Sequence, residues 1–264
     1  SHGGLPGKGE TRGMPWFRPL EGVRAAHELR RTMRPQNPRF ACATSGHPLE
    51  DHSTGLIAGQ TVRYLEAHRS EPFALWVSFP DPHEPWVAPR RYAALFPPEQ
   101  IELPPWREAE FDERAPERNR VLYRMLGVRD DPLEDVYGLL GVYYGMVRFI
   151  DDGVGQILDA LDALGLRERT IVVFCSDHGD FMGEHGMQCK GGVFYDCLTR
   201  VPLIVSWPGR VPQGRRDSSM VSLIDIVPTL LELQGLPVPC AMQGQGLPTV
   251  TAAAPRDAAF SEYG

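Results

Sequence analysis

The sequence predicts an α/β fold, a mainly parallel sheet flanked by helices, and three observations carry that expectation. Short apolar runs bounded by Pro, Gly or Asp, of which Ile171-Val172-Val173-Phe174-Cys175 is the sharpest, read as strands buried on both faces. Longer stretches with apolar residues three and four apart read as helices. Strands and helices then alternate along the chain, the order that builds parallel sheets.

Taken in order, residues 1–55 are rich in Gly, Pro, Arg and His with little periodicity, and are expected to be irregular. Leu56, Ile57, Val62 and Leu65 set a helix over 56–68 that ends ahead of Pro72. Phe73-Ala74-Leu75-Trp76-Val77-Ser78-Phe79 is the next buried strand, and it runs into the loop Pro80-Asp81-Pro82-His83-Glu84-Pro85-Trp86. Residues 97–131 are polar and proline-containing, a long connection or lid of the kind that is usually functional. The strongest helix covers 135–164, with Leu139, Tyr143, Met146, Ile150, Val154, Ile157, Leu161 and Leu164 on one side and Gly165 as its stop. After the strand at 171–175, Val201 to Trp207 reads as a further strand closed by Pro208-Gly209. Ser222 is placed to cap a helix running to Gly235, and 259–263 to begin a last strand.

Composition narrows the function classes. At 264 residues the chain can bury a sizeable core, and 42% apolar with 23% charged residues is ordinary for a globular protein. A net charge of −7 argues against a nucleic-acid binder. No apolar run approaches the ~20 residues of a transmembrane helix. The first five residues lack the regions of a signal peptide, so a soluble chain is expected, with cytoplasm and periplasm both open. The five cysteines form no C-x-x-C pair and read as free buried thiols. Lys8 and Lys190 are the two lysines, which sets Lys190 apart.

Chemistry concentrates at strand ends, where open α/β sheets bind ligands. Asp177 offers a hard oxygen and His178 an imidazole nitrogen, half of a divalent metal site. His83 follows another strand, and Lys190 sits in the glycine-rich stretch Gly183 to Gly192. A lysine and a histidine beside a divalent ion suit a phosphate or sulfate ester. Each residue has a plainer alternative: His83 as a turn former, Lys190 as a solvated lysine, Asp177 as a helix cap. His185 reads as structural or as support for a ligand. Asp130-Asp131 reads as a solvated turn, and Asp151-Asp152 as a helix face.

Taken together, these residues resemble a known family. Ser176-Asp177-His178-Gly179-Asp180, Gly183-Glu184-His185-Gly186, Lys190, Arg200-Val201-Pro202-Leu203-Ile204-Val205 and Trp207-Pro208-Gly209 are similar to the sulfatase family of the alkaline-phosphatase superfamily. Val77 to Pro85 and Asp225-Ile226-Val227-Pro228-Thr229-Leu230 extend the resemblance over about residues 54–263. It implies an alkaline-phosphatase/sulfatase-like domain, incomplete at both ends, whose core is 56–264. It implies Asp177 and His178 as metal ligands, Lys190 in contact with the ester and the nucleophile, and His83 at the ester oxygens or the leaving group. A divalent metal follows, calcium first, with manganese or zinc also compatible. The partner is a small anionic ester, with no nucleic acid and no membrane span.

The family's nucleophile, a formylglycine from a C-x-P-S-R-type motif, and its amino-side Asp-Asp pair have no counterpart in these residues. Cys42-Ala43-Thr44-Ser45-Gly46 and Cys197-Leu198-Thr199-Arg200 both depart from the motif. The expectation is a sulfuric ester hydrolase, arylsulfatase-like, of which this chain carries part of the active site. Alternatives are a phosphonate monoester or phosphodiester hydrolase, and a non-catalytic binding protein on the same fold.

Overall fold

The structure, a computed structural model, describes residues 42–107, 109–128 and 131–262. They form two compact units, residues 42–101 with 133–157 and residues 102–132 with 158–262. The expected last strand at 259–263 is not formed by the described residues there, and Asp130 lies outside them.

In the first unit, β1 (Cys42–Ser45) pairs in parallel with β2 (Trp86–Pro89). Between them α1 (Ser53–His68) buries Thr54, Ala58, Thr61 and Leu65, a stripe at helical spacing. A one-turn helix, α2 (Arg90–Ala93), follows β2 directly. The expected irregular segment therefore contains β1, and the first helix starts three residues earlier than its apolar pattern. Phe73–Phe79, expected as a buried strand, is neither: it pairs with no described strand, and Trp76 is 91% exposed. Its apolar run is real, but Leu75, Trp76 and Val77 in its middle are exposed.

The connection from 102 onward holds α3 (Glu117–Leu126), with Pro116 immediately before its first turn. The long helix α4 (Leu133–Ala163) matches the periodicity, burying Val136, Leu139, Leu140, Met146 and Phe149. Gly141 and Gly145 let it approach the chain after β2: a Cβ at 145 would stand 2.8 Å from the Ala93 nitrogen. The helix belongs to the first unit through Ile157 and to the second from Leu158.

In the second unit, β3 (Val172–Cys175) pairs antiparallel with β6 (Leu203–Ser206). The chain between them forms a two-residue hairpin, β4 (Phe181–Met182) with β5 (Gln188–Cys189), and a one-turn helix, α5 (Asp196–Thr199). No helical crossover long enough to return the chain in parallel separates β3 from β6, so the direction reverses. The α/β class holds, with one parallel and two antiparallel pairs among the described strands. Nor is β3 buried on both faces, because Phe174 and Cys175 are exposed. Phe181, Met187, Val193 and Leu198 form a core against which Phe111, Leu122, Tyr123 and Leu126 pack. Residues 223–225 and α6 (Ile226–Leu233) follow Ser222, whose N–H donates 2.8 Å to the Asp225 carboxylate in a capping box. A last turn, α7 (Pro248–Thr251), packs on α6.

Candidate active site

The end of β3 is shaped by local hydrogen bonds. The Ser176 hydroxyl donates to the His178 carbonyl at 2.9 Å, and the His178 N–H donates to Asp177 Oδ1 at 2.9 Å. His178 Nδ1 lies 2.9 Å from the Gly179 carbonyl oxygen. A carbonyl only accepts, so Nδ1 carries the proton and Nε2 keeps its lone pair. That Nε2 stands 3.7 Å from Asp177 Oδ2, so one nitrogen and one oxygen donor converge on one accessible spot. An imidazole whose second nitrogen is tied to a carbonyl is the usual state of a metal-ligating histidine. The donor set fits a divalent cation in part: among the described residues no three His, Cys, Asp or Glu side chains form a complete cluster. Gly179 holds the loop in place, its N–H donating 2.9 Å to the Leu198 carbonyl. A side chain at 179 would collide with the Cys197 carbonyl, so glycine is required here by close approach.

Lys190 is placed by strand register. Phe181 pairs with Cys189 and Met182 with Gln188, which sets residue 180 opposite residue 190. Lys190 Nζ accordingly lies 3.4 Å from Asp180 Oδ1, the carboxylate nearly buried and the ammonium mostly so. The turn between β4 and β5 uses left-handed backbone at Gly183, His185 and Gly186. It is pinned by the Met182 N–H donating 2.7 Å to the Glu184 carboxylate. His185 turns away from Asp177 in its bonding: Nδ1 lies 2.6 Å from Glu110 Oε1, and the ring sits 4.1 Å from that of Tyr195. The Tyr195 hydroxyl accepts from Asn119 at 3.0 Å. His185 thus ties the 102–132 connection to the hairpin, the structural role expected of it.

His83 lies in the first unit. Its N–H donates 3.0 Å to the Pro80 carbonyl and its Nδ1 donates 2.7 Å to the Glu84 carbonyl, leaving Nε2 available on an exposed ring. Both peptide bonds flanking this stretch, Asp81–Pro82 and Glu84–Pro85, are cis. Asp151 and Asp152 lie on α4, paired with Arg148 at 2.7 and 2.5 Å, and the Tyr92 hydroxyl donates 2.8 Å to Asp152. They are a helix face, as expected. All five cysteines are free, but Cys175 and Cys240 are exposed, against the expectation of burial. Burial pushes the Cys42 thiol up to about 11 and the Cys197 thiol up to about 12, so neither is a ready thiolate.

Three side chains that support the candidate residues were not singled out from the sequence: Asp180, Glu110 and Asp81. Asp180 had little signal, because the two-residue strands around Gly-Glu-His-Gly carry too few alternations to set a register from sequence. Glu110 had none, lying 75 residues from His185.

The model of the sulfatase family matches residues 7–236. The "Uncharacterized sulfatase YidJ" of Escherichia coli is 34% identical over 72% of this chain and 38% of its own length. The choline-sulfatase of Rhizobium meliloti is 30% identical over 70% of this chain and 37% of its own. The solved phosphonate monoester hydrolase of Agrobacterium radiobacter superposes with a TM-score of 0.70 at 27% identity, covering 92% of this chain and 51% of that one. The chain thus spans about two fifths of the length of these curated relatives. With the family match reaching from residue 7 past α6, and the Asp-His strand end, the hairpin lysine and the His83 loop all inside it, the chain belongs to the sulfatase family.

Proposed function

We propose that the chain carries part of the active site of a metal-dependent hydrolase of sulfate esters, arylsulfatase-like in substrate class. The observation that supports this most directly is the placement of the His178 ring, with Nδ1 2.9 Å from the Gly179 carbonyl and Nε2 3.7 Å from Asp177 Oδ2. Asp177 and His178 would hold a divalent cation, calcium first and manganese or zinc otherwise, which when bound supplies positive charge toward the ester oxygens. Lys190, paired with Asp180, donates to a non-bridging ester oxygen and stabilises charge building there. His83 would donate from Nε2 to an ester or leaving-group oxygen in its doubly protonated form, since the single proton of the neutral ring sits on Nδ1 against the Glu84 carbonyl.

A second substrate class, phosphonate monoesters or phosphodiesters, is supported by the likeness to the Agrobacterium enzyme. Paired assays of the full-length protein with an aryl sulfate and an aryl phosphodiester separate them. A higher kcat/KM for the sulfate is expected, and the reverse order transfers the proposal to the phosphorus esters. Lys190→Ala and His83→Ala should each lower kcat by about 10²–10⁴-fold. The 264-residue chain by itself, which lacks the C-x-P-S-R motif, is expected to hydrolyse neither substrate. Turnover by that chain would show that the nucleophile lies within it.

A further inference from the structure

The loop that presents His83 is fastened by a half-buried carboxylate that no ester chemistry requires. Asp81 Oδ2 accepts from the Thr54 hydroxyl at 2.5 Å and from the Ser53 hydroxyl at 3.2 Å. Both donors stand in the first turn of α1, a 16-residue helix whose N-terminus favours a negative charge. Thr54 is itself wholly buried, and its methyl group faces Gly153 of α4. The ring of Phe79 faces the same glycine, so the chain entering the loop is fixed two residues ahead of Asp81. Beyond His83, Trp86 is buried at the start of β2. Between these two anchors the backbone must hold His83 with its N–H on the Pro80 carbonyl and its Nδ1 on Glu84.

We propose that Asp81 is a positioning residue: through Thr54 and Ser53 it clamps the 80–86 loop to α1, and so fixes the tautomer and direction of the His83 imidazole. The proposal rests on the reading of His83 as the ester-contacting histidine. Burial already pushes the Asp81 carboxyl above its ordinary range, the hydroxyl donors offsetting this only in part. A purely stabilising role is therefore a poor account of an aspartate at this position, and Asn is expected to be tolerated by the fold at neutral pH.

The test uses the whole chain labelled with ¹⁵N-histidine, with the His83 ring signals assigned by His83→Gln. The native chain should show His83 protonated at Nδ1. Asp81→Asn, and independently Thr54→Val, should move those signals toward the mixture of free histidine, while the urea midpoint changes little. Thr54→Ser, which restores the hydroxyl, should return the native signals. In the full-length protein Asp81→Asn should lower kcat on the order of 10- to 100-fold with KM changed much less. Unchanged His83 signals in both variants overturn the proposal, and so does loss of folding in both, which would make the clamp a folding element. Shifted ring signals with undiminished turnover uphold the clamp and remove His83 from the proposed chemistry.

Discussion

Gly179 shows how a single residue at the strand end is set by packing. Its N–H is bonded to the Leu198 carbonyl, and a Cβ there would overlap the Cys197 carbonyl. Gly179→Ala must push the Asp177-His178 loop off α5, and it is expected to destabilise the chain by about 1–3 kcal/mol, read from the urea midpoint. The sequence motif therefore needs glycine for proximity, since its backbone is not left-handed. Asp217 is a second residue-scale case. The Thr249 hydroxyl and the Ser219 N–H hold its carboxyl down to about 2. A depressed carboxyl stabilises the folded chain above its unfolded value of 3.8, and that contribution is lost as the pH falls to about 2. An NMR titration should find the Asp217 carboxyl midpoint near 2 and Thr249→Val should raise it.

Among the elements, α6 and the chain that follows it are joined by one charge. Asp225 is 1% exposed and accepts from Arg256 at 2.7 Å, from the Ser222 N–H at 2.8 Å and from the Gln245 N–H at 3.0 Å. Asp225→Ala strands a half-buried arginine and two amides, and is expected to destabilise by about 3–5 kcal/mol. Arg256→Leu should cost less than that, because the two amides still have their acceptor; urea unfolding of both variants checks the order. What was legible in the sequence follows the same division. The periods of α1 and α4, the Ser222 cap and the strand ending at Cys175 are local patterns, and each stands within a few residues of its expected place. The place of the Asp-His pair just past β3 was legible because the apolar run stops there. The β4–β5 register was less so, since two-residue strands leave too few alternations to read. The 73–79 strand failed because an apolar run states what could be buried, while burial depends on a partner the run does not specify. The antiparallel β3–β6 pairing was missed for a like reason, because alternation of strands and helices does not reveal which strands become neighbours.

For the whole molecule, two titratable groups at α1 couple stability to pH with opposite signs. His52 is buried ahead of α1 with its ring edge-on to Phe149, and its Nε2 has no hydrogen-bond partner among the described residues. Burial lowers its pKa below the ordinary 6.5, with His47 adding to the effect. Below 6.5 the unfolded chain takes up a proton that the folded chain refuses, so the stability His52 contributes is complete above that pH and is lost as the pH falls through its folded value. Asp81 works the other way. Its folded pKa is raised, so its contribution is present below the ordinary 3.8 and is lost as the pH rises through the folded value. Acidification from neutrality therefore weakens the fold through His52 while relieving it through Asp81. Urea midpoints measured from pH 7 down toward the ordinary carboxylate value of 3.8 should fall for the native chain. In His52→Gln, which cannot take the proton, they should fall less. In Asp81→Asn, which loses the opposing gain, they should fall more steeply once the pH is below the folded value of the Asp81 carboxyl. Parallel curves for all three would show that neither group governs the acid response, and that the loss of stability lies with the exposed charges.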